Sequence, residues 1–367
     1  MPDRDFSPAR RRLTALRLAA QGIVRGAADA APDDPTEVVR GMLALQAQDF
    51  SGALWSIGLR TASATRRGVE AAHETGAFVR SWPMRGTLHF VVAEDLPWML
   101  SLTGERMVRS AEGRRRQLEL DHAQFDRAER IARERMADGA TISRPELFAA
   151  WEQEGLPTTG QRGVHLLAQL AQKAVIVLVG QHEWALLEHR VPHPRLPDRP
   201  SALREFALRY FLSHGPATDR DFAWWSSLTL ADARAGIAAA REQLDVLDLA
   251  GTAYYLRPGL QPAGRAVRLL PGFDEYLLGY SDRSAPLSGA DSSVIVPGGN
   301  GMFLSTMVLN GEVIGSWRRT PRAKKVDLDM LPFRDIPESA HGGIAAAARR
   351  YGAYLEQPVE LRRPSPH

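Results

Sequence analysis

The sequence predicts an α+β protein, mostly helical, built as an array of winged-helix modules and closed by a small α+β C-terminal portion. Three observations carry that expectation. Capped segments rich in Ala, Leu and Arg alternate with short β-branched or aromatic runs. The order helix, helix, hairpin recurs at one interval, with caps at Ser143 and Thr218. The chain has 367 residues and 44% hydrophobic content, enough for more than one compact unit at roughly 100–200 residues per domain.

The elements follow in order. A helix is predicted near Leu13–Ile23. Asp34-Pro35 supplies a cap and an N1 proline for a helix from Thr36 to about Leu45. Further helices are predicted at Ala53–Arg60 and Arg66–Glu74. Then "FVRSWPMRGTLHFVV" reads as two strands flanking Pro83 and Met84, a hairpin. These make the first module, residues 1–96. A long charged helical stretch, Pro97–Met136, connects it to the second module, and the pair of them occupies 97–190. Ser143 and Glu146 form a capping box before "LFAAWEQ". A helix near Gly163–Lys173 and two strands meeting at Gly180-Gln181 complete that module. The proline-rich "HRVPHPRLPDRP", His189–Pro200, reads as a linker. The third module, 200–262, repeats the plan: Thr218 with Asp221 before "FAWWSSL", a helix near Ala231–Gln243, and strands turning at Ala250-Gly251. The C-terminal portion, 265–360, carries a strand pair turning at Asn310-Gly311 and a final helix over Glu338–Leu355.

Composition narrows the function. There is no cysteine, which excludes disulfides, thiolate metal sites and a cysteine nucleophile. No window approaches the ~18 uninterrupted apolar residues of a transmembrane helix. The start, "MPDRDFSPARRR", lacks an apolar leader. A cytoplasmic location with no membrane partner is the expectation. The net charge is only +3, and Arg supplies nearly all the positive side. A charge this small says little about nucleic acid by itself. No His cluster accompanies Asp274 and Glu275 of "GFDEY", so no metal and no cofactor is assigned. "VPGGNG" lacks the Lys-Ser/Thr of a phosphate loop and reads as a turn.

The segment "LALQAQDF" places Gln46 and Gln48 two positions apart at the end of an apolar run. On a helix they would diverge by about 200°; on an extended chain they would share a side. Both conformations remain open at this stage. Alone, the pair reads as solvated glutamines at a helix end.

In order along the chain, "LALQAQ", "RGTLHFV" and "LLPGFDEYLLGYSDR" resemble the AlkZ-like winged-helix DNA glycosylases, over nearly the whole length. The resemblance implies three tandem winged-helix motifs around a concave DNA-binding channel. It also implies excision of alkylated purines, including bulky adducts and, in some members, interstrand crosslinks. The family's catalytic pair falls on Gln46 and Gln48; a neighbouring branch carries Asp at the second position. Glutamine has no titratable proton, but two amides offer donors and acceptors that can hold one water. A guanine alkylated at N7 is already cationic and leaves as a neutral base, so positioning and electrostatics are what remain to be supplied. Asp49 is a candidate source of negative charge toward the sugar cation.

The first hairpin offers a second constellation. In a strand, Arg85, Thr87 and His89 would line one side and Leu88 and Phe90 the other. Arg85 is a candidate for phosphate, and Thr87 or His89 for sugar or base. Trp82 and Met84 are candidate wedges near the tip. Arg66 and Arg67 open the helix before this wing, where a recognition helix would contact the backbone. The expected partner is double-stranded DNA carrying alkylated purines, bound by a monomer associated with the nucleoid. The competing readings are a non-catalytic winged-helix regulator and a protein-interaction scaffold. The adduct, and whether the role is general repair or self-resistance, are not written in the sequence.

Overall fold

In the computed structural model, which describes residues 7–26, 30–287 and 292–362, one order of elements occurs three times. The first copy runs helix Pro35–Met42, strand Leu45–Gln46, helices Phe50–Arg60 and Arg66–Glu74, then hairpin strands Phe78–Met84 and Thr87–Val92. The second runs His122–Arg135, Ile142–Ser143, Arg144–Gln153 and Arg162–Gln172, then strands Ile176–Val179 and Glu183–Leu186. The third runs Arg199–His214, a bridge at Ala217, Asp219–Ser226 and Leu230–Ala240, then strands Asp245–Leu249 and Thr252–Leu256. In each copy the short strand lies antiparallel to the second hairpin strand: Leu45 opposite Phe90, Ile142 opposite Trp184, Ala217 opposite Tyr255. Helix, strand, helix, helix, hairpin is the winged-helix order. The capping boxes at Ser143–Glu146 and Thr218–Asp221 both form, satisfying backbone donors that the helices themselves leave free.

Several boundaries differ from the sequence expectation, each for a local reason. The first helix is Pro8–Ala20 and stops before Gly22, at φ 65°. The next ends at Met42, because Leu43 adopts φ 65°. The helix expected from Ala53 begins at Phe50. The first hairpin does not turn at Pro83-Met84 but at Arg85-Gly86, whose φ values of 55° and 66° match the mirror-image turn that a twisted hairpin prefers. Pro83 falls in an irregularity between Ser81 and Met84, where no ladder donor is required. The 97–136 stretch is three helices, Leu96–Ser110, Glu112–Gln117 and His122–Arg135, the last opened by a capping box at Asp121.

Sheets and cores tie the modules together. One pair, Arg80 opposite Leu178, joins the first two hairpins into a single six-stranded sheet whose edge is Leu45–Gln46. The C-terminal portion is a five-stranded sheet with the helix Glu338–Leu355 packed on it. Buried residues do not follow the four sequence intervals. Leu54, Trp55, Phe78 and Phe90 of the first module share one core with Leu269, Trp317, Tyr351 and Tyr354 of the C-terminal portion. Val79, Met84 and Val91, from the other face of the same hairpin, share a second core with Phe206, Phe222 and Trp225 of the third module. The second module has a third core largely its own, around Phe125, Trp151, Leu166 and Trp184.

Candidate active site

The break at Leu43 decides the conformation of the glutamine motif. Leu45 and Gln46 pair with Phe90 and His89, and the Ala47 N–H donates to the Leu88 carbonyl at 2.7 Å. The backbone is therefore extended through this segment. Leu45 and Ala47 are buried at 1% and 0% exposure and point into the core. Alternation turns Gln46 away from that core, and Gln48 follows the strand in a bend. Gln46 is 8% exposed at the base of the site. Gln48 is exposed, and its Oε1 accepts from the Leu88 N–H at 3.4 Å. Asp49 follows as the residue before helix Phe50–Arg60; its side chain makes no cap hydrogen bond. With Phe303, Trp317 and Arg318 it lines a cavity of about 340 Å3.

Beneath the motif lies a buried carboxylate, Glu275, whose structural role the sequence reading missed. Its Oε1 accepts from the Gln46 backbone N–H at 3.0 Å and lies 3.5 Å from Arg85 Nη2. Its Oε2 accepts from Trp225 Nε1 at 2.8 Å and lies 3.6 Å from His214 Nε2. Burial pushes the Glu275 carboxyl up, but Arg85, His214 and His89 outweigh it and hold the group below the usual carboxylate range. Its neighbour Asp274 faces elsewhere. Asp274 takes both ends of the Arg60 guanidinium at 2.9 Å and the Ser56 hydroxyl at 2.7 Å. Both side chains of that Arg60–Asp274 pair are 0% exposed. The acidic pair of "GFDEY" thus closes two internal charge networks. The only local signal was two acids inside an apolar run; their partners lie from 50 to 229 residues away in sequence.

The hairpin residues are distributed differently from the sequence expectation. Arg85 is in the turn, not on a strand face. Its guanidinium is 10% exposed and committed inward: Nη1 donates to the Leu278 carbonyl at 2.6 Å and Nη2 to His89 Nε2 at 2.8 Å. It is not available as a phosphate clamp. His89 is fully buried, its Nδ1–H donating to the Thr87 carbonyl at 2.8 Å, so it does not present itself to a sugar or base. Burial, followed by the Arg85 charge, pulls its pKa down to about 3, and the ring is neutral. Met84 is also fully buried, in the core shared with the third module, and cannot serve as a protruding wedge. Thr87 is half-buried, and its hydroxyl has no partner among the described residues. Trp82 is half-buried and stacked on Trp184, with centroids 5.8 Å apart and planes 8° apart. Arg66 is held by Glu70 at 2.8 Å, whereas Arg67 is 90% exposed and only 3.9 Å from Glu356. In "FAWWSS", Phe222 and Trp225 are core, as a helix-core reading implies, but Trp224 is 38% exposed.

Comparison with known proteins agrees with this architecture. The family described as "DNA glycosylase AlkZ-like" matches residues 39–354. An interstrand DNA cross-link repair glycosylase of Streptomyces sahachiroi is 24% identical over 346 residues, which is 86% of this chain and 91% of that protein. The solved structure of Streptomyces sahachiroi DNA glycosylase AlkZ superposes with a TM-score of 0.78 at 21% identity, covering 96% of this chain and 99% of that one. The family match begins within the first winged-helix copy and ends in the last helix, so it takes in the glutamine strand, the hairpin and the Glu275 hub together. The chain belongs to the AlkZ-like family of DNA glycosylases.

Proposed function

We propose that the chain is a monofunctional glycosylase that releases alkylated purines from double-stranded DNA, with Gln46 and Gln48 holding the attacking water. The observation that carries this reading is the extended backbone at Leu45–Ala47 on the sheet edge, which keeps the two glutamines out of a helix, where their amides would diverge. Hydrolysis of the glycosidic bond passes through an oxocarbenium-like state. A purine alkylated at N7 or N3 carries a positive charge and departs neutral, so little acid assistance is required. Two amides can orient a water, and the exposed Asp49 carboxylate adds negative potential where the sugar becomes cationic. No lysine neighbours the motif, so no Schiff-base lyase step is assigned. The relative's crosslink-repair activity extends the candidate substrates to bulky and crosslinked purines. Arg67, on the exposed start of the Arg66–Glu74 helix, is a candidate phosphate contact.

The test is base release from duplexes carrying N7-methyl, bulky and crosslinked guanine. Gln46→Ala/Gln48→Ala is expected to lose about 100-fold or more in rate, the scale of removing a preorganised polar group, at unchanged DNA affinity. Equal release by the double variant rejects the assignment of the pair. DNA binding without release by the native protein leaves only a binding module.

A further inference from the structure

A second cavity, of about 660 Å3, opens at the tip of the first hairpin, between the second and third modules. Its volume is within the roughly 300–1,000 Å3 of small-molecule sites. Neither Gln46 nor Gln48 lines it. It nevertheless begins close to them: Gln48 accepts from the Leu88 N–H, and Gly86, two residues before Leu88 in the hairpin turn, is in the cavity wall.

Three features of the wall point to one ligand chemistry. Trp82 presents an indole held rigid by its stack on Trp184. Arg106 is an exposed guanidinium with no hydrogen bond or ion pair among the described residues. Arg115 and Gln172 are polar groups set deep in the wall, 4% and 7% exposed. Arg115 Nη1 donates to the Val108 carbonyl at 3.0 Å and Nη2 to Gln172 Oε1 at 3.3 Å, while its Nε has no partner among the described residues. A buried donor left unpaired is costly unless a ligand or water completes it. An aromatic platform, an exposed cation at the rim and hydrogen-bonding groups in the wall match a nucleotide: base face, phosphate and base edge.

The reacting sugar must touch the glutamines, and they are not in this cavity. We infer that the cavity takes a second extrahelical nucleotide of the DNA substrate, distinct from the one hydrolysed. Its base lies on Trp82, its edge meets Arg115 and Gln172, and its phosphate meets Arg106. This rests on the glycosylase reading above. The nucleotide comes either from the opposite strand, where flipping orphans a base, or from a neighbour on the damaged strand.

A mutant cycle distinguishes the two and tests the site. Affinity is measured for an N7-methylguanine duplex in which the base opposite the lesion, or the base immediately 5′ or 3′ of it, is replaced by an abasic analogue. In the native protein, deletion at one of these positions should cost affinity, and Trp82→Ala should remove roughly 5- to 100-fold of that dependence, the scale of one lost base–aromatic stack. The responsive position identifies the strand. Arg106→Ala, on the surface and held by no hydrogen bond or close ion pair among the described residues, should lower the salt slope of binding by about one on damaged DNA and not on undamaged DNA. If no position couples to Trp82 and Arg106→Ala treats both DNAs alike while base release persists, the cavity is not a nucleotide site and the glycosylase reading stands. If the native protein binds no damaged DNA, both fall.

Discussion

At the scale of single residues, Glu275 shows how the glutamine strand is held from behind. One carboxylate fixes the Gln46 backbone, neutralises the buried Arg85 and anchors Trp225, so strand, turn and third module share one acceptor. Glu275→Ala leaves Arg85 buried without its counter-charge. It should destabilise the fold by about 3–5 kcal/mol in urea denaturation. Glu275→Gln, which keeps an acceptor for Gln46, should cost less. The depressed Glu275 group contributes stability that is present above its unfolded value of 4.5 and lost as pH falls through its lower folded value. The buried histidines act in a higher window. Burial pulls His73, His89 and His214 below their unfolded 6.5. Below that pH the unfolded chain takes up protons the native state refuses, so stability is full above it and falls as pH drops, by up to about 1.4 kcal/mol per pH unit for each ring. The urea midpoint should therefore decline between pH 7.5 and 5.5, before Glu275 titrates; a flat midpoint would show these rings protonated in the fold. None of this was legible from the sequence. Arg85, His89 and Met84 look like tip residues of a free wing until the third module and the Leu278 carbonyl cover them. Gln46 and Gln48 were legible as a pair, and their geometry turned on a helix end that one positive φ at Leu43 sets.

At the scale of elements, local chemistry carried most of the information. The caps at Asp34, Ser143 and Thr218 satisfy backbone donors within three residues, so their sequence signature sufficed. The Asn310-Gly311 turn joins strands Thr306–Leu309 and Glu312–Pro321, as an Asn-Gly pair indicates. Its glycine does more than turn. Gly311 has φ 91°, a Cβ there would run into the Thr14 side chain of the first helix, and its carbonyl accepts from the Tyr276 hydroxyl at 2.6 Å. Gly311→Ala should therefore cost about 1–3 kcal/mol in thermal or urea unfolding, through strain and displaced packing together. A loss of a few tenths would mean the turn alone was felt. The sequence puts the turn at Pro83-Met84 because Pro83 is the stronger local breaker; the cross-strand register instead accommodates Pro83 inside the strand and turns the chain at Arg85-Gly86.

At the scale of the whole molecule, the repeats were visible but the cores were not, because a repeat is a local pattern and a shared core is a long-range one. The first module buries Trp55 against Tyr351 at 4.9 Å between ring centroids, and Trp55 Nε1 donates to the Leu269 carbonyl at 2.8 Å. Its hairpin gives its opposite face to Phe206 and Trp225 of the third module. Cut at residue 96, that module would expose both faces at about 25 cal/mol per Å2 of apolar surface, with nothing to replace the partners. The second module is bound differently: its core runs from Leu118 to Leu186, with Trp82 and Leu88 as the partly buried additions from outside, and one strand pair links it to the first sheet. A fragment of 118–191 lies above the size at which small domains fold alone. It should give a helical circular-dichroism spectrum and a cooperative urea transition, with Trp184 more exposed than in the full chain. The fragment 1–96 should give neither transition nor sharp melting, and adding 263–362 in the same chain should not restore the hairpin face that the third module covers. Cooperative unfolding of 1–96 by itself would mean that the glutamine strand is held by its own module, and that Glu275 and the shared cores only decorate it.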